Sequence, residues 1–392
     1  MFRTLGPSLL RIGGNSVDKA LWAASGAGQV AGQVAPPDVD ALAGFSRACG
    51  WSVLYGVNLA TSTPVLAAQE VAYAAKVLGS SLYGIEIGNE PDLYGGNYFQ
   101  GWTLQAFEAR WQQFRDAIAR AVPGIVITGP ADAGNIARWT VPFAQYATRQ
   151  QIALLTQHYY RGSGQSPSAT AAALISPDAA LATDLAALSS AAAQVGVPFR
   201  LAETNSYYGG GAPGVSNSYA SALWVIDHLF TIALGGGVGV NLHGGGNGAG
   251  YTPIADSNGT VVEARPEYYG LLLFTLAGQG KLLGTTFNFA GENNASAYAV
   301  QRADGSLSLV VVNKDASHTI GLTIDCGRNL NSATLMAMTA SSLTATSGVQ
   351  IQGAGVGVDG SFAPLAPYSL ATSGSRVNCY VAPLSAALIH VI

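Results

Sequence analysis

Short apolar runs alternate along the first 270 or so residues with longer stretches in which apolar positions recur every three or four residues. The runs occupy 8–12, 52–56, 83–87, 125–128, 153–158, 199–202 and 237–241, and each has the length of a strand. The intervening stretches at 65–78, 104–122, 179–195 and 216–234 carry helical periodicity. Strand and helix alternating at this pace predict a parallel α/β architecture, and seven to eight such units predict a (β/α)8 TIM barrel. Seven strands are visible. The run at 8–12 passes straight into Gly13-Gly14-Asn15, the kind of turn expected after a second strand, so the first barrel strand is expected to be missing from this chain.

After about residue 275 the texture changes. Residues 306–312 and 386–391 alternate or run apolar over strand lengths, and Ala303-Asp304-Gly305, Gly327-Arg328-Asn329 and Asp359-Gly360 supply turn signals. Many short strands without intervening helices predict an antiparallel β-sandwich. The expected division is therefore a catalytic barrel over 1–274 and an accessory β-sandwich domain over 275–392.

Composition narrows the classes. The chain has 392 residues, 49% of them hydrophobic and 10% charged, and a formal net charge of -4. That balance gives no basis for nucleic-acid binding. Few charges and 49 Gly fit an exported protein, secreted or periplasmic, although Met1-Phe2-Arg3 begins no signal peptide. No membrane span is expected: the longest apolar candidate, 174–195, carries Asp178 and Asp184 and reads as an amphipathic helix. Three cysteines build no disulfide framework. Cys326 and Cys379 lie in strand-like sequence and either pair or remain buried thiols, while Cys49 reads as a packed side chain at a helix end. No histidine and cysteine spacing suggests a metal, and no cofactor is expected.

The chemistry concentrates at strand ends. Ile85-Glu86-Ile87-Gly88-Asn89-Glu90-Pro91 is an apolar strand closing on a carboxylate, at the barrel edge where active sites are built. The proline stops the strand and fixes the exit of the chain. Phe199-Arg200-Leu201-Ala202-Glu203 repeats the arrangement three strands later. Two carboxyl groups facing each other over a barrel mouth suit a retaining glycosidase, which needs them about 5–5.5 Å apart, one as acid and one as nucleophile. Between them, His158-Tyr159-Tyr160 ends another strand; Tyr160 is placed to orient Glu203, His158 to support it, and Tyr159 to pack beneath. Gly209-Gly210-Gly211 follows Glu203, and consecutive glycines let backbone N–H groups converge on an anion. A uronic-acid carboxylate is such an anion. Asn241 through Gly246 and Gly250-Tyr251 end the last strand, where another phenol reaches toward the same place.

These segments, with Leu10-Arg11-Ile12-Gly13-Gly14 and the stretch from Tyr208 to Pro213, resemble glycoside hydrolase family 79, the family of heparanase and related β-glucuronidases. The resemblance implies Glu90 as acid/base, Glu203 as nucleophile and Tyr160 as its orienting phenol. It also implies that Gly209, Gly210 and Tyr251 bind the uronate carboxylate and that Asn89, Asn15 and His243 contact sugar hydroxyls. The expected substrate is a glycosaminoglycan or other glucuronide-containing saccharide. The short stretch between Gly14 and Trp51 favours an open groove and internal cleavage of heparan sulfate; an exo-acting β-glucuronidase is the alternative. The family's N-terminal strand and its acidic residue are not found, which predicts a single-chain, monomeric enzyme lacking its natural N-terminus. Two rivals remain: a neutral-sugar glycosidase, which has no use for the glycine nest and Tyr251, and a catalytically silent uronate-binding barrel.

Overall fold

The computed structural model describes residues 1–147, 151–244, 250–288 and 294–392. Seven strands form one parallel sheet in sequence order: β1 (Leu9–Ile12), β2 (Ser52–Val57), β3 (Leu82–Ile87), β4 (Ile127–Asp132), β5 (Leu154–Tyr160), β6 (Phe199–Asn205) and β7 (Val240–Leu242). Strands β4 and β6 are buried along their whole length, as expected of parallel strands covered on both faces. Helices alternate with them: α1 (Pro36–Cys49), α2 (Pro64–Leu78), α3 (Leu104–Ala121), α4 (Thr140–Tyr146), α5 (Ala179–Val195), α6 (Tyr219–Leu234) and α7 (Pro266–Ala277). The arrangement is a nearly closed (β/α)8-like barrel.

The sequence states where each helix begins. Thr63 and Thr103 accept from the N–H groups of Leu66 and Ala106, satisfying donors that the first turns of α2 and α3 would otherwise leave open. Asp178 does the same for Leu181 in α5 and also accepts from Tyr159. The stretch Ala171–Val195 is long and apolar enough, by length and composition alone, to cross a bilayer. It is interrupted at Ile175–Asp178, and Leu181, Leu185 and Leu188 of α5 are buried on one face in the barrel core.

The two edges of the sheet meet through a side chain. Strand β7 pairs with β6, and Asn241 on β7 donates from Nδ2 to the Leu9 carbonyl of β1 at 2.8 Å. Arg200 holds that amide in place, donating to Asn241 Oδ1 at 2.6 Å.

Beyond α7 the chain forms antiparallel sheets. One runs through Ala295–Arg302, Leu307–Asn313, Ser385–Val391 and Ala333–Thr339, and the other through Ile320–Asp325 and Arg376–Val381. Alternation along the strands serves two cores. Val310, Val312 and Leu388 pack toward α6 and α7, whereas Val311, Ile389 and Val391 pack with Val377 and Cys379 of the second sheet. The expected division at 274/275 lies within α7, whose buried residues pack with α6 and with the C-terminal strands. Cys326 and Cys379 are free thiols. Leu322 stands opposite Cys379 in the register, and Cys326 lies four residues further along, roughly 13 Å at strand rise, beyond disulfide reach.

Candidate active site

The first carboxylate is presented by a chain that only glycine can turn. Strand β3 ends at Ile87, and a Cβ on Gly88 would lie 2.8 Å from the Tyr94 hydroxyl and 3.0 Å from Leu59. Glu90 itself is left-handed, with φ 50° and ψ 53°, a conformation that costs a non-glycine residue energy and is found where position matters. Its N–H donates to the Ala131 carbonyl of β4 at 2.9 Å. Pro91 then starts a short 3-10 helix that carries the chain away. The Glu90 carboxylate meets Nδ1 of the buried His158 at 3.1 Å.

Glu203 stands on β6, directly opposite His158 of β5 in the register. Oε2 accepts from Arg11 Nη1 at 2.8 Å and Oε1 accepts from the Tyr160 hydroxyl at 2.7 Å. His243 Nδ1 lies 3.2 Å from the same Oε1. Burial opposes the charge on Glu203, but His158, His243 and Arg11 override it and hold the pKa well below the usual carboxylate range. Tyr160 keeps its proton, since burial and the neighbouring Glu203 charge push its phenol far up. The pair is thus an ionised carboxylate held by donors and a second carboxylate, Glu90, across the mouth. One oxygen of each lies within 4.8 Å of the other.

Glu90, His158 and Glu203 also have the mutual spacing of a metal triad. Both oxygens of Glu203 are already taken, one by a guanidinium that supplies positive charge where an ion would sit. The donor set fits a guanidinium-held carboxylate better than a metal.

Around this pair the remaining expected residues fall into two groups. Asn89 is buried, accepts from Arg11 Nη2 at 2.9 Å and from the Gly14 N–H at 3.1 Å, and donates to the exposed Asn15 at 3.2 Å. On the other side, Tyr251 and Tyr160 both place their hydroxyls within 2.9 Å of His243 Nδ1, so His243 belongs to the surroundings of Glu203 as much as to any sugar hydroxyl. Gly209, Gly210 and Gly211 have φ of 82°, 91° and 89°, and the first two are exposed. Burial raises the Tyr251 pKa, and the loop lies against its backbone: a Cβ on Gly211 would stand 3.1 Å from the Tyr251 nitrogen, and one on Gly250 would run into the Gly210 carbonyl oxygen. Ser216 anchors the loop by accepting from the Ala212 N–H and from Ser206 Oγ, each at 2.8 Å. Tyr159 packs outward and donates to Asp178 at 2.7 Å. Gly245 and Gly246 lie outside the described residues.

Three buried charged residues around the pair were not singled out in the sequence. Arg11 binds Glu203, Asn89 and Glu86, the last at 2.5 Å, and all four are buried or nearly so. The signal was there: a charged residue in the middle of each of two apolar strands, Leu10-Arg11-Ile12 and Ile85-Glu86-Ile87. The third is the buried Asp18. It accepts from the N–H groups of Leu59, Ala60 and Asn89 and from the Tyr94 hydroxyl, tying the ends of β2 and β3 together.

No family model matches the chain. Over 255 residues it is 29% identical to a β-glucuronidase of Aspergillus niger, covering 56% of this chain and 46% of that protein. A β-glucuronidase of Neurospora crassa is 28% identical over 259 residues, covering 58% and 43%. The chain therefore spans less than half the length of these two curated relatives. Among solved structures, a 4-O-α-L-rhamnosyl-β-D-glucuronidase of Fusarium oxysporum 12S, in complex with Rha-GlcA, superposes with a TM-score of 0.81 at 21% identity, covering 97% of this chain and 87% of that one. That likeness establishes a shared fold.

Proposed function

We propose that the chain hydrolyses β-glucuronides with retention of configuration, as the resemblance to glycoside hydrolase family 79 implies. The observation that carries the reading is the Glu90–Glu203 pair, with one oxygen of each within 4.8 Å of the other. That separation suits direct attack on the sugar, whereas an inverting pair stands about 6.5–9.5 Å apart to admit a water. Glu203, ionised and aligned by Arg11 and Tyr160, attacks the anomeric carbon while Glu90 gives its proton to the departing oxygen. Water then enters, Glu90 takes a proton from it, and the glycosyl–Glu203 bond breaks. The glycine nest and Tyr251 receive the uronate carboxylate, and the names of the two curated relatives agree with that substrate class.

For the mode of cleavage we propose internal cutting of a glucuronate-containing polymer, heparan sulfate being the expected one. Its support is the stretch from Gly14 to Trp51, which holds one α-helix and leaves Asn15 exposed at the cleft. A specific observation favours exo action instead. Arg11 is engaged by two glutamates, Arg161 by Asp178 and Arg265 by Glu263, so these cations are already committed rather than gathered for sulfates.

The test is product analysis on heparan sulfate beside an aryl β-glucuronide and the matching β-glucoside. Cleavage of the glucuronide with the glucoside left intact is the expected result. Internal fragments from the polymer support endo action, and free glucuronic acid alone replaces it with exo action. Equal rates on glucoside and glucuronide overturn the carboxylate assignment, and no turnover on any of them overturns the enzyme.

A further inference from the structure

Two residues past Glu203, strand β6 ends on the fully buried Asn205. Its Oδ1 accepts from the Ser206 N–H at 2.6 Å, which fixes the sense of the amide and leaves Nδ2 to face the neighbouring chain. Three acceptors converge on that one nitrogen. They are the His243 carbonyl at 2.9 Å, the Tyr251 carbonyl at 3.2 Å and Oε2 of Glu267, in the first turn of α7, at 3.5 Å.

An amide nitrogen carries two hydrogens, so the two shorter contacts take them and Glu267 is the remote third. Glu267 is itself buried, and burial pushes its carboxyl well above the usual carboxylate range. It therefore stands uncharged behind the amide and does not draw it away from the carbonyls. Position 205 thus calls for a side chain that donates twice from one atom and accepts once. An aspartate of the same size offers only acceptors when ionised and would leave both carbonyls without a donor.

The two carbonyls do not depend on Asn205 equally. His243 is also held by its N–H, which donates to the Thr204 carbonyl at 2.8 Å and continues the pairing of β6 with β7. Tyr251 belongs to no strand or helix, and among the described residues the amide of Asn205 is the one hydrogen-bond donor to its carbonyl. The phenol on that backbone lies 2.9 Å from His243 Nδ1. Releasing the carbonyl unties the chain that carries the phenol, while Glu203 keeps its bonds to Arg11 and Tyr160.

We propose that Asn205 is a positioning residue for substrate recognition: by bridging the carbonyls of His243 and Tyr251 it sets the Tyr251 hydroxyl where a uronate carboxylate is received, and it acts on binding rather than on bond cleavage. The inference rests on the assignment of β-glucuronide hydrolysis to this site and of Tyr251 to the carboxylate.

Steady-state kinetics on an aryl β-glucuronide test it, with Asn205→Ala, Tyr251→Phe and the two combined. Asn205→Ala should raise KM about tenfold, the value of one hydrogen bond to a charged group, and leave kcat within about twofold of wild type. Because Asn205 acts through Tyr251, the combined variant should have the KM of Tyr251→Phe alone, not the product of the two effects. The inhibition constant of free glucuronate, which needs no turnover, should follow KM. The unfolding midpoint shows whether each variant is folded, and Asn205→Ser, which keeps a single donor, carries the same cycle if Asn205→Ala is not. An unchanged KM, a fall in kcat in its place, or effects that multiply in the combined variant would overturn the inference while glucuronide hydrolysis stands. No turnover of the glucuronide by the wild-type chain overturns the reading beneath it, and this inference with it.

Discussion

Arg11 Nη1 donates to Glu203 Oε2 at 2.8 Å, and the same guanidinium reaches Glu86 and Asn89. One side chain from β1 therefore holds Glu203 on β6 and Asn89, next to Glu90, just past the end of β3. The two roles of Arg11, structural toward Glu86 and functional toward Glu203, can be separated. Removing one partner of a buried ion pair costs about 3–5 kcal/mol, so Arg11→Gln should lower the unfolding free energy by that order. In Arg11→Met with Glu86→Leu no buried charge is left uncompensated at Glu86, and the share of the stability lost through Glu86 should return, while the share lost through Glu203 should not. Activity should not return, because Glu203 still lacks its cation. Denaturant titration and kcat on an aryl glucuronide read the two effects; recovery of activity in the double variant would show that Arg11 acts only through Glu86.

The assignment of roles to the two glutamates predicts opposite stereochemistry on chemical rescue. In Glu203→Ala, azide takes the place of the missing nucleophile and should give the α-glucuronyl azide. In Glu90→Ala, azide attacks the glycosyl-enzyme from the other face and should give the β-azide. Loss of general acid–base catalysis in Glu90→Ala should cost roughly 10²–10⁴-fold with a poor leaving group and less with a nitrophenolate. NMR of the anomeric proton distinguishes the products, and the reverse pairing of variant and anomer exchanges the two roles.

How much was legible beforehand depended on how each element is buried. Strands such as β2 stood out because parallel strands covered on both faces are nearly continuous apolar runs. Glu90 and Glu203 stood out because each ends such a run. Helix α7 did not: Tyr268, Tyr269, Leu272 and Leu273 are all buried, and a helix enclosed on most sides loses the period that marks one. Helix α1 opens with Pro36-Pro37 and buries only Val39, Ala43 and Ser46, too few apolar positions to show a face. Arg11 and Glu86 were visible as charges but not as partners, since 75 residues separate them and only barrel closure brings β1 beside the strands that carry the site.

Tyr160 and Tyr251 sit with ring centroids 6.2 Å apart, yet their removal should act on different constants. Tyr160 donates to Glu203, the proposed nucleophile, so Tyr160→Phe should lower kcat on the glucuronide and on any glucoside turned over alike. Tyr251 faces the glycine nest, so Tyr251→Phe should raise KM for the glucuronide by about tenfold, the value of one hydrogen bond to a charged group, and leave the residual glucoside rate unchanged. Steady-state kinetics on the two aryl glycosides decides. Equal losses on both substrates in Tyr251→Phe would place its hydroxyl with the nucleophile rather than the carboxylate.

Stability should respond to pH through two glutamates of opposite sign. Glu203 has a folded pKa below its unfolded value, so its contribution is present above pH about 4.5 and is lost as pH falls below that. Glu70 is the reverse. It is buried on the inner face of α2, its pKa is raised from 4.5 to about 7 chiefly by burial, and the Tyr55 hydroxyl that donates to it at 2.9 Å only partly offsets this. The folded state holds a proton there that the unfolded chain releases, so its contribution is full below pH 4.5 and is lost as pH rises to 7. At 1.36 kcal/mol for each unit of pKa the loss is on the order of 3 kcal/mol. Glu70→Gln keeps a partner for Tyr55 and cannot ionise. Its unfolding free energy, measured by urea titration from pH 4 to 8, should match wild type near pH 4 and exceed it by about 2–3 kcal/mol near pH 8. Curves that stay parallel across the range would mean that Glu70 ionises in the fold without cost, with water or a shift of Tyr55 meeting its charge.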